Sequence, residues 1–139
     1  MTQNVSTIQI RVRYAETDQM GVAHHANYLI WCEQARTDHM RALGINYREL
    51  EQSGIRLPVV DASIRYRAPA QYDDLLEVRC WVRRASSRLV SFGYAVERDS
   101  DLLATATTSL IAIDPNRAVQ RLPDQIRERL IAIPDPVRL

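Results

Sequence analysis

Between Tyr14 and Tyr28 the chain carries two carboxylates (Glu16, Asp18), a glycine (Gly21) and two adjacent histidines (His24, His25). They fall where an alternating segment gives way to a long apolar-striped one. A strand-to-helix crossing turns backbone N–H groups toward a ligand, and the helix dipole there favours negative charge. A carboxylate in that place is ill suited to binding an anion. It suits a group that attacks an electrophile or activates a water, with the oxyanion so formed resting on the exposed N–H groups.

Each of these residues also has a plain structural use. Asp18 serves as a turn former or helix-entry cap, or as nucleophile or general base, with Gly21 allowing close backbone approach. Glu16 lies two residues earlier; in extended chain the two share a face and each raises the other's pKa. It reads as a strand-end charge, or as a group orienting Asp18 or a neighbouring Arg. His24 and His25 read as buried, hydrogen-bonded imidazoles that position the loop. The other histidine is His39, and no third ligand stands near in sequence, so a metal is not expected. Asn27 and Tyr28 cap and anchor the helix. No Gly-x-Ser-x-Gly elbow and no glycine-rich phosphate loop occurs.

The positioning elements follow from periodicity. Ile8, Ile10, Val12 and Tyr14 alternate with polar residues, a half-buried strand. From Ala26 to Leu43 the spacing becomes helical, with Leu29, Cys32, Ala35 or Arg36, Met40 and Leu43 on one face and Gly44 as the stop. Asn46 with Glu49 resembles a capping box for a short helix, Tyr47 to Gln52. Period-two stretches then run over Val60–Tyr66, Leu76–Val82, Val90–Val96 and Leu103–Ile113, with a turn at 84–87 and a hairpin at 98–101. Gln125 to Ile131 makes a short terminal helix. Consecutive strands with short links pair antiparallel, and one helix on such a sheet is an α+β layer. The sheet's other face is wet or covered by a second subunit, and the small residues of Ala104–Thr107 favour cover, hence at least a dimer.

The chain has 139 residues, the length of one domain (1–139). Charged residues are 25% and the net charge is +1, carried on the positive side by Arg rather than Lys. That balance argues against nucleic acid or a membrane surface as partner. No segment is apolar and long enough to cross a bilayer, and the first residues do not read as a signal peptide. Cys32 and Cys80 form no Cys-x-x-Cys pair and read as small buried hydrophobes in a reducing cytoplasm.

Tyr14-x-Glu16-Thr17-Asp18-x-x-Gly21-Val22-x-x-His25-Ala26-Asn27-Tyr28-Leu29, then Glu33-x-Ala35-Arg36 and Ala68-Pro69-Ala70-x-Tyr72-x-Asp74-x-Leu76, resemble the 4-hydroxybenzoyl-CoA thioesterase family of acyl-CoA thioesterases. The resemblance implies the hotdog fold, an antiparallel sheet wrapped around one long central helix. It implies hydrolysis of an acyl-CoA or acyl-carrier thioester, with no cofactor because CoA is part of the substrate. Asp18 falls at the catalytic carboxylate, and His25 at the position whose backbone N–H polarises the thioester carbonyl. The carbonyl oxygen is then expected on N–H groups near Ala23–His25, with His24, Gly21, Tyr14 and Asn27 lining the site. His24 replaces the aromatic residue, commonly Tyr, of many relatives, and two adjacent imidazoles there point either to pH dependence near neutrality or to a distinct substrate preference. The segment Arg84 to Arg88 resembles the turn that holds CoA phosphates, with Arg88 and then Arg84 as candidates. The site is expected at a subunit interface of a homodimer or homotetramer, its depth set by residues such as Trp31, Val60, Ile64 and Phe92. Two other readings share the fold: a hydratase or dehydratase acting on acyl thioesters, and a non-catalytic acyl-thioester binding module.

Overall fold

The computed structural model describes residues 4–139. Five strands form one antiparallel sheet: β1 (Val5–Arg11), β2 (Val59–Tyr66), β3 (Leu75–Ala85), β4 (Leu89–Arg98) and β5 (Asp101–Ile111). The spatial order is β1-β3-β4-β5-β2. The long helix α1 (Asn27–Ala42) packs on one face, followed by α2 (Tyr47–Gln52); α3 (Asp124–Arg127) comes near the C-terminus. This is the hotdog arrangement.

The helix-facing layer is built largely from alternate residues of two neighbouring strands. Leu76, Val78, Cys80 and Val82 of β3 and Val90, Phe92, Tyr94 and Val96 of β4 are all buried. Against them α1 buries Tyr28, Trp31, Cys32, Ala35, His39 and Met40. The expected stripe holds at Cys32, Ala35, Met40 and Leu43 but not at its first turn, where Tyr28 and Trp31 are buried and Leu29 and Ile30 are exposed. Residues 28–32 are almost uniformly apolar, so periodicity fits either register. The bulk of Trp31, whose indole N–H finds a buried acceptor in Glu16, decides it. α2 starts as expected, with the Asn46 side chain accepting from the Glu49 N–H, and Gly54 at φ +96° follows its end.

Three expectations are corrected. Tyr14 does not continue β1. The chain tightens into a 3-10 turn over Tyr14–Glu16, which sends Tyr14 outward (77% exposed) and Glu16 inward. Next, β2 does not pair with β3 but lies at the far edge beside β5, with Ile64 opposite Ala106. Residues 67–74 carry the chain back across the sheet to β3. Finally, the terminal helix ends at Arg127 rather than Ile131. Pro134 and Pro136 cannot continue a helix, and the segment crosses the outer sheet face instead. The Ile133 N–H donates to the Val82 carbonyl, and Asp135 accepts from the Trp81 indole and from Arg83. Trp81, fully buried on that outer face, packs against Gly93, where a Cβ would meet its ring at 2.6 Å. Here the cover is the chain's own C-terminal segment rather than water or a partner. The exposed apolar surface lies elsewhere, with Val59 and Val60 of edge strand β2 and Leu29 and Ile30 of α1.

Candidate active site

Residues 17–23 form a small closed loop: the Asp18 N–H donates to the Val22 carbonyl, and the Gly21 N–H to the Asp18 carbonyl. Gly21 has φ +81°, a conformation glycine adopts without strain. The Asp18 side chain makes an Asx turn, its Oδ1 accepting from the Met20 N–H at 2.8 Å. Oδ2 has no hydrogen-bond partner among the described residues. One oxygen thus shapes the turn while the other stays open. Asp18 lines a cleft of about 290 Å³ together with Met20, Val22, His25, Tyr28, Tyr66 and the 67–69 segment.

The backbone amides that open α1 are mostly occupied. The Ala23 N–H donates to the Ala70 carbonyl and the His24 N–H to the Glu16 carbonyl; the Asn27 N–H donates to the His24 carbonyl and the Tyr28 N–H to the His25 carbonyl. The Ala26 N–H donates to Nδ1 of His24. The His25 N–H is left with no partner among the described residues. This narrows the expected group of donors near Ala23–His25 to one amide.

Glu16 holds this arrangement from below. Its side chain is buried and accepts from the Arg13 N–H (2.7 Å), the Trp31 indole (3.0 Å) and the Arg13 guanidinium (3.3 Å). Burial pushes its carboxyl up, but those donors outweigh the burial and hold it below the ordinary glutamate value. Its backbone carbonyl also accepts from the Asn27 side chain at 2.8 Å. Glu16 and Asp18 do not share a face, because the 3-10 turn breaks the extended alternation between them. Glu16 orients its neighbour Arg13 and the helix entry rather than Asp18.

The remaining candidates take other places. His24 and His25 are exposed rather than buried, because they stand at the mouth of the helix entry; His24 Nδ1 accepts from the Ala26 N–H, and its ring stacks on His25 at 4.3 Å. Tyr14 stands edge-on to Tyr72 at 5.6 Å, outside the cleft. Trp31 and Phe92 are wholly buried in the core, and neither they nor Val60 nor Ile64 lines the cleft. Arg84 lies one residue before the end of β3, and Arg88 sits in the β3–β4 turn, where its guanidinium donates weakly to the Ser87 hydroxyl at 3.4 Å. β3 begins beside the site, where the Val12 N–H donates to the Asp74 carbonyl. Those arginines therefore lie about 30 Å away along the strand, and a single chain does not bring them to Asp18. Sequence reasoning missed Tyr66 and Arg67, and it gave the 68–70 segment no site role. The Ala68-Pro69-Ala70 motif was the available signal, since Ala70 bonds both Ala23 and the Tyr28 hydroxyl. Among the described residues no cluster of His, Cys, Asp or Glu could hold a metal ion.

The profile of the thioesterase-like superfamily matches residues 12–130, the span that holds the cleft, the long helix and strands β2 to β5. The chain belongs to the thioesterase-like superfamily. YneP of Bacillus subtilis is 40% identical over 112 residues, covering 80% of this chain and 81% of YneP. The acyl-CoA thioesterase YbgC of Haemophilus influenzae is 32% identical over 115 residues, covering 82% and 85%. Among solved structures in the superfamily, the DHNA-CoA thioesterase of Staphylococcus aureus superposes with a TM-score of 0.83 at 36% identity, covering 85% of this chain and 80% of that one.

Proposed function

We propose that this chain hydrolyses acyl-CoA thioesters to the free acid and CoA thiol, with Asp18 and the His25 N–H on either side of the scissile carbonyl. The observation that carries this reading is a pairing within one cleft. The open carboxylate oxygen of Asp18 and the open amide of His25 belong to residues that line the same cleft, while the neighbouring amides are already bonded. The thioester carbonyl oxygen rests on the His25 N–H. Asp18 either attacks the carbonyl carbon, expelling thiolate and leaving an anhydride that water opens, or takes a proton from the water that attacks. Either course consumes one water and needs no cofactor. Acyl-CoA thioesterase YbgC is a relative whose name agrees with this chemistry.

Edge strand β2 leaves backbone N–H and C=O groups unpaired beside exposed Val59 and Val60, with Leu29 and Ile30 adjoining. A second copy pairing along β2 would cover them, and we take the working unit to be at least a dimer. Such a unit also supplies a second set of residues near each cleft. The two free, buried cysteines suit a reducing cytoplasm. Thiol release from a panel of acyl-CoA esters tests the reaction. Turnover is expected from the native chain and its near-complete loss from Asp18→Asn and Asp18→Ala; native-like turnover in both variants would remove Asp18 from the chemistry.

A further inference from the structure

Tyr66 ends β2, and its hydroxyl donates to the His25 carbonyl at 3.0 Å. Its ring stands edge-on to both His25 (89°, centroids 6.4 Å) and Tyr28 (88°, 5.1 Å). It also lines the cleft beside Asp18. Burial pushes its phenol up, with lesser contributions from Tyr28 and Cys32, so the hydroxyl stays a donor at neutral pH.

The peptide unit that carries the His25 N–H also carries the His24 carbonyl, which accepts from the Asn27 N–H at 3.0 Å. A planar trans peptide sends its N–H and C=O in opposite directions. That bond therefore turns the His25 N–H away from the first helical turn. The following peptide unit is held at both ends: the Ala26 N–H reaches His24 Nδ1 at 3.2 Å, and the His25 carbonyl takes the Tyr66 hydroxyl. The two planes meet at the His25 Cα, so fixing both fixes its φ and ψ. Without the hydroxyl, the His25 carbonyl keeps the long 3.3 Å bond from the Tyr28 N–H, and the unit loses the tie that holds its carbonyl end toward β2.

We infer that Tyr66 is a positioning residue for the reaction: its hydroxyl locks the peptide unit after His25 and so aims the one open amide at the thioester carbonyl. This rests on the reading of Asp18 and His25 given above. The hydroxyl acts on a bond that strengthens as the oxyanion forms, so its loss falls on kcat rather than on KM.

Tyr66→Phe keeps the ring packing and removes the hydroxyl. In the full chain, kcat is expected to fall about tenfold with KM held within about twofold. Unchanged kinetics, or a raised KM at native kcat, would overturn the inference. A second readout uses the Asp18→Asn chain holding the thioester most rapidly hydrolysed by the native chain, carbon-13 labelled at its carbonyl. Infrared difference spectra should show the carbonyl stretch moved to lower frequency on binding, and moved less when Tyr66→Phe is added. An equal shift in both would overturn the role of Tyr66 while leaving the His25 assignment standing. No shift with Asp18→Asn alone would instead overturn the assignment on which the inference rests.

Discussion

The two ends of β3 are built differently. At the Leu75 end, residues 12–28 are tied to one another and to the 66–74 link by short hydrogen bonds, many to backbone groups, around the buried carboxylate of Glu16. At the Ala85 end, Arg84 and Arg88 stand exposed, without an ion pair among the described residues. A carboxylate that must meet a carbonyl within a fraction of an ångström needs a rigid shell. An arginine that meets a phosphate in water works from a flexible stem. Within one chain the first end sets a carboxylate and an amide beside a shared cleft, while the arginines of the second end do not reach that cleft.

That contrast can be broken by mutation, the largest effect first. Asp18→Asn should lower kcat by about 10²–10⁴-fold with KM little changed, read by thiol release. Glu16→Ala strands the buried Trp31 indole N–H and releases exposed Arg13, and should cost about 2–3 kcal/mol in urea unfolding, because the entry to α1 leans on that side chain. The sign with pH follows from its lowered pKa. Glu16 stabilises the fold fully above its ordinary value of 4.5, and that share is lost as pH falls through the lowered folded value. Glu16→Gln should flatten this part of an acid titration of stability followed by circular dichroism.

Gly21→Ala meets no atom within 4 Å, so only its φ of +81° resists the change. A cost of about 1 kcal/mol is expected, seen as a modest drop in melting temperature with a larger drop in kcat if the loop must keep its shape. The smallest effect belongs to the other end of the strand. Arg88→Ala should leave kcat and melting temperature unchanged and raise KM for acyl-CoA about threefold, the difference fading in high salt. A large fall in kcat from Arg88→Ala would mean the two ends are not as distinct as their bonding implies.

Much of the fold was legible because local chemistry dictated it. Asn46 and Gly54 bounded α2 to the residue, and Asp99 and Ser100, at φ +50° and +71°, turned the β4–β5 hairpin where polar residues interrupt two alternating runs. What was not legible depended on partners distant in sequence. Nothing within Val59–Tyr66 says that its neighbour is β5 rather than β3. Nothing within residues 28–32 says which of two apolar stripes Trp31 will bury. The candidate site divides in the same way. Asp18 and His25 could be read from the Tyr14–Tyr28 stretch. That the Ala23 and His24 amides are taken by Ala70 and Glu16, leaving His25 alone, depended on a loop some forty residues on and on a 3-10 turn that alternation hid.

The most direct measurement is the backbone amide spectrum of the Asp18→Asn chain titrated with a thioester it binds but does not hydrolyse. The His25 N–H is expected to move downfield as it gains an acceptor, by more than the N–H of Ala23 or His24, which already have theirs. A saturating thioester that leaves the His25 resonance where it stood would contradict the placement of the carbonyl on that amide.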